Sequence, residues 1–195
     1  MVYFVRKYSR AKWGDIDSLE EYNIDLDSIP SDAYTSCLRT NNNKLSIWKI
    51  SWDDNDELNK ELEKIVLAMV TSFDTIGSVD FVYFSEEDIS ELKKEESIGD
   101  TPIEHLAKKH EDLEVPTIKD LKKLAKVYIN SIKNKQTKTF NKNKVLKIVD
   151  NAINKKLLTK ENSISIRNNY IKIKLGIITC CIKCRSEINC INNVI

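Results

Sequence analysis

The chain has 195 residues, of which 41% are hydrophobic and 31% charged. That balance excludes an intrinsically disordered protein and allows one large core or two small ones. The formal net charge is only +1, but it is unevenly divided: residues 1–116 hold 13 Lys/Arg against 26 Asp/Glu, a net of −13, and residues 117–195 hold 18 against 4, a net of +14. An acidic front joined to a basic back implies an anionic partner for the back, or docking of one half on the other. The apolar runs Val79–Phe84 and Leu175–Ile182 are too short to span a bilayer, and Met1–Lys7 lacks the shape of a signal peptide, so no membrane partner and a cytoplasmic location are expected. With 4 glycines and 3 prolines, long regular elements are expected.

In the acidic half, Val2–Val5 opens a short apolar run that continues into the aromatic and basic segment ending at Trp13. Residues Tyr3 to Trp13 hold the types needed for base stacking and phosphate contact. The acidic surroundings would repel phosphate, so the segment reads as an amphipathic edge strand. A turn is expected around Ser28–Ser31 and a sharper one at Asn41–Asn43. Leu45–Trp52 reads as a strand with Leu45, Ile47 and Lys49 on one face and Ser46, Trp48, Ile50 and Trp52 on the other.

Asp53, Asp54 and Asp56 open a helix whose apolar face is Leu58, Leu62, Ile65, Val66, Met69, Val70 and Phe73. Capping and the helix dipole account for these acids; a metal-dependent nuclease built from acids of 53–57 and 80–88 is the least favoured reading. Val79–Phe84 is nearly continuous in apolar residues, the pattern of a strand covered on both faces. Ser85 and Asp88 resemble a capping box that starts a helix reaching to about Lys94.

In the basic half, Thr101–Glu104 starts a short helix holding both His105 and His110, which read as solvent-facing or capping because no partner for a general base is visible. A second helix starts at Thr117 and carries the stripe Ile118, Leu121, Leu124, Ala125, Tyr128 and Ile132. Lys135–Lys142 reads as a polar, basic connector. A third helix runs from about Lys142 to Leu158 on Val145, Leu146, Val149, Ala152, Ile153 and Leu157. The period then changes to two in Ser163–Arg167 and Tyr170–Leu175, and Asn168-Asn169 between them suits a hairpin turn.

Three helices followed by a basic hairpin resemble the element order of a winged helix-turn-helix over residues 102–175. The resemblance implies a third helix placed in the major groove and a wing on phosphate. The implied nucleic-acid surface is Lys142, Lys144, Lys147 and Lys155 with the wing residues Arg167, Lys172 and Lys174. Lysine outnumbers arginine 16 to 2 in residues 117–195, which favours phosphate contact over base reading.

Of five cysteines, Cys180, Cys181, Cys184 and Cys190 cluster near the C-terminus. Cys181 and Cys184 have zinc-ligand spacing, with Cys190 as a third thiolate. With no second pair and no histidine nearby, these residues read equally as inert thiols. No cofactor is expected, zinc being the alternative.

These features predict an α+β protein with a small, layered α/β module over 1–100 and a basic helical module over 101–195 that ends in a hairpin and a cysteine-containing tail. The expected function is non-enzymatic: nucleic-acid binding through the basic half and protein binding through the acidic half. The alternative is a protein-interaction or inhibitor module of the immunity or antitoxin kind.

Overall fold

The computed structural model describes residues 2–14, 16, 27, 29–71 and 77–158. Its architecture is mixed α+β: a six-stranded sheet of order β4-β5-β2-β1-β3-β6, every adjacent pair antiparallel, with helices on both faces. Alternation in the three central strands dictates this layering. In β1 (Val2–Tyr8) the neighbours Phe4 and Val5 are both fully buried and project to opposite faces, so the strand needs cover on each side. In β3 (Val79–Ser85) Val79 and Phe81 serve one face, Val82 and Phe84 the other. In β2 (Lys44–Ser51) Leu45 and Ile47 face one core, Trp48 and Ile50 the second, the division read from the sequence.

One core is closed by α1 (Asn55–Val70), α2 (Glu104–Ala107) and α4 (Lys142–Asn154). The other is closed by α3 (Ile118–Lys133) together with the segment around Ile29–Leu38, which ends in a widened, π-type helical turn over Ala33–Cys37. The acids that open α1 act as caps. Asp54 accepts from the amides of Asp56 and Glu57, and the Glu57 carboxylate returns to the amide of Asp53. Leu62, Ile65 and Val70 are fully buried on the predicted face, and Met69 is half-buried. Asn42 and Asn43 both take positive φ, giving the tight turn into β2 that their sequence called for.

Several expectations are corrected. The segment starting at Tyr3 is not an edge strand: β1 lies between β2 and β3, because its residues are apolar on both faces. The capping box at Ser85 and Asp88 forms, with reciprocal bonds, but the helix stops after one turn at Glu87–Ile89. Only Ile89 and Leu92 are apolar there, too few to hold a longer helix, and Lys94–Glu96 instead pairs as β4 with β5 (His110–Glu114). His110 is therefore on a strand, not in the helix with His105.

The presumed connector before α4 contains β6 (Thr137–Phe140), whose short alternation pairs with β3. This strand carries the chain through the sheet, so α3 and α4 pack on opposite faces and do not form a helix-turn-helix pair. The predicted wing, with Arg167, Lys172 and Lys174, lies outside the described residues, as do Cys181, Cys184 and Cys190. The boundary placed at residue 100 falls within one sheet, since β1 to β4 precede it and β5 and β6 follow it.

Among the described residues no helix is long and apolar enough to cross a membrane. Part of the charge division is satisfied internally. Lys122 pairs with Asp27 at 2.7 Å, Lys123 with Glu91 at 2.8 Å and Lys144 with Glu63 at 3.4 Å, each joining the basic segment to the acidic one.

Candidate anion-binding clefts at a fork in the sheet

The register of the central strands creates a fork. β1 and β2 pair only from Val2 opposite Ser51 to Val5 opposite Trp48. Beyond that point β1 stays with β3 as far as Tyr8 opposite Asp80, while β2 stays with β5 back to Lys44 opposite Glu114. The backbone groups that face the fork have lost their ladder partners and need others. Arg6 supplies them: its Nε donates to the Cys37 carbonyl at 3.0 Å and its Nη1 donates to the Ser46 carbonyl. A guanidinium suits this task because its donors form a rigid fork with a charge that is always present.

A cleft of about 410 Å³ opens at this point, lined by Arg6, Lys7, Ser9, Lys12, Ser36 and Cys37 on its polar side and by Trp48 and Met69 on its apolar side. Among the described residues no carboxylate lines it, although it lies within the acidic segment. Cys37 is a buried free thiol whose Sγ accepts from the Ser9 amide at 3.3 Å, with the Ser36 hydroxyl at 3.7 Å. It ends the π-type turn, a backbone form frequent at functional sites. Burial pushes the Lys7 ammonium down, opposed by the nearby Asp80 and Cys37. The cleft thus combines three cations, the serines Ser9, Ser36 and Ser46 and an aromatic wall, the donor set for a phosphate with a planar group attached.

A second cleft of about 410 Å³ lies on the other side of Tyr8, which lines both. Arg10, Lys133 and Lys135 supply its charge and Trp13 its aromatic wall. Burial pushes the Tyr8 phenol up, against its hydrogen bond with Thr137. Here too no carboxylate lines the cleft among the described residues.

The residues singled out in the sequence are placed as follows. Lys142, Lys147 and Lys155 are exposed on or just past α4. Lys144 is committed to Glu63 and rests over the Phe140 ring at 4.5 Å. At ~100° per residue, Lys144, Lys147 and Lys155 share one flank of α4 and Lys142 falls on another. His110 meets Ser97 through Nδ1 at 2.6 Å and sets its ring edge-on to Trp48. Burial pushes its imidazole down, against the pull of Asp112. Neither His110 nor Ser97 lines the two clefts.

The acids considered for metal chemistry have other duties: Asp54 and Glu57 cap α1, Asp88 accepts from Ser85, and Asp80 accepts from the Thr139 hydroxyl at 2.7 Å. The basic run from Arg6 to Trp13 was the signal for the clefts; its charge is local, and counting over the whole acidic segment hides it. No family model, curated protein or solved structure matches this chain.

Proposed function

We propose that the protein binds a single strand of nucleic acid, with a phosphate held at the fork by Arg6, Lys7 and Lys12 and the attached base against Trp48 and Met69. The observation that carries this reading is the cleft itself: three cations, three serines and an aromatic side chain line it, with no carboxylate among the described lining residues, inside the acidic segment of the chain. A concave site of this size admits an unstacked base and a backbone phosphate, whereas the bases of a duplex are stacked out of reach. Arg6 is tied to two carbonyls, so it lends the cleft mainly charge, and Lys7 and Lys12 add their ammonium groups to the lining. Lysine-based contact of this kind positions a strand without reading its sequence.

The test is a salt titration of labelled single-stranded DNA and RNA binding to the full chain, the two arms distinguishing the strand chemistry. One phosphate neutralised at the fork on a single strand gives a log–log slope of about −0.7. Failure to bind either strand at low salt, or a slope near zero, overturns the reading.

A further inference from the structure

Building on that reading, we infer that the second cleft, beyond Tyr8, is a second phosphate subsite, so that the ligand is a strand of at least two linked nucleotides lying across both clefts. Tyr8 is the shared wall, and the short turn Arg10–Lys12 places consecutive cations alternately: Arg10 in the second cleft, Lys12 in the first. A phosphodiester strand presents its charges at regular intervals and can meet both; a lone phosphate meets one.

Three observations single out the second cleft. Its charged residues come from two distant parts of the chain, Arg10 from the turn after β1, and Lys133 and Lys135 from the end of α3. Its wall residue Trp13 is only 3% exposed, and among the described residues the indole Nε1–H has no hydrogen-bond partner. A buried donor without an acceptor is uncommon. Trp13 is also held by stacking on Tyr128 at 5.4 Å between centroids.

Finally, Lys135 sits at φ +58, in the left-handed position that ends α3. The amides of Lys135 and Gln136 return to the carbonyls of Ile132 and Ser131, the closing pattern in which glycine is the usual residue. A lysine retained there accepts backbone strain while placing a cation at the rim of the cleft.

The experiment compares the full chain binding thymidine monophosphate and an oligothymidylate of about ten nucleotides, within the footprint of a single-strand binding module, with the uridylate pair run alongside. Lys135→Glu is expected to weaken the oligonucleotides roughly tenfold at low salt and to leave the mononucleotides unchanged. Lys135→Gly, which suits the local φ and cannot be blamed on misfolding, is expected to weaken the oligonucleotides in the same direction by less. Unchanged oligonucleotide affinity in both variants overturns the second subsite while the fork reading stands. An equal loss for mononucleotide and oligonucleotide also overturns it, because the charge then acts on one site. If the unmodified protein binds neither ligand, the fork reading fails and the subsite with it.

Discussion

Arg6 donates through Nη1 to the carbonyl of Ser46, across the gap where β1 and β2 no longer pair. With its Nε on the Cys37 carbonyl, the side chain ties three segments together at the mouth of the cleft. Removing it leaves two carbonyls without donors. Arg6→Ala is expected to cost about 1–3 kcal/mol in chemical denaturation, and Arg6→Lys to restore little, since an ammonium lacks the planar fork. A loss below about 0.5 kcal/mol, within the range of an ordinary surface change, would show that the fork closes without it.

The core above the fork is closed by α1. Leu62 is fully buried there among Ile65, Val66 and the sheet residues Val5 and Ile50. Leu62→Ala is expected to cost about 2–5 kcal/mol through lost burial and the cavity left behind, measured as a shift in denaturation midpoint at unchanged slope.

Glu61 gives the fold an acid limit. Its side chain is largely buried and receives Lys109 and Lys64, both at 2.5 Å. Burial disfavours the carboxylate, but the two ammonium groups outweigh it and hold the Glu61 carboxyl below the usual range. A depressed carboxyl stabilises the native state in full above its unfolded pKa of about 4.3, and that contribution disappears as pH falls through the lower folded value. Lys109→Met is therefore expected to lower stability at neutral pH and to flatten the fall in stability as the solution is acidified below that range. Parallel curves for the two proteins would contradict this assignment.

Lys135 and Lys156 occupy equivalent left-handed positions after α3 and α4, at φ +58 and +57. Replacing either by glycine is expected to raise stability by about 0.5–1 kcal/mol, from relief of the left-handed backbone cost less the added freedom of the unfolded chain. Lys135 lines the second cleft and Lys156 lines neither of the two, so Lys135→Gly alone is expected to trade binding for stability. Thermal melting and oligonucleotide titration on the two variants measure both effects.

Much of the scaffold was legible because its signals are local. The face of α1, the alternation of β2, the double-sided burial of β3 and the Asn42-Asn43 turn each depend on neighbours a few residues away. What was missed depends on distant pairing. β6 is four residues long and becomes a strand only because β3 offers it an edge. Its insertion moves α4 to the face opposite α3 and so removes the helix-turn-helix arrangement. β4 likewise displaces the helix that Ser85 and Asp88 begin.

The candidate site was half-legible for a similar reason. The residues from Arg6 to Trp13 have the right chemistry, but the net charge of the surrounding sequence masks it. In space several described carboxylates of that segment are engaged with Lys64, Lys93, Lys94 and Lys109, and among the described residues none lines the clefts.

On the proposed reading the anion site lies at the fork and not on α4. The most direct measurement sets two double charge reversals side by side, Lys7→Glu with Lys12→Glu, and Lys147→Glu with Lys155→Glu, against one single-stranded oligonucleotide at one low salt concentration. Each pair changes the net charge equally, so a general electrostatic effect weakens both alike. The account predicts at least a tenfold loss for the fork pair, the size expected when phosphate contacts are reversed, with melting temperature retained and a loss of no more than about twofold for the α4 pair, the residual effect of net charge. Full affinity in the fork variant, or a larger loss in the α4 variant, would contradict it.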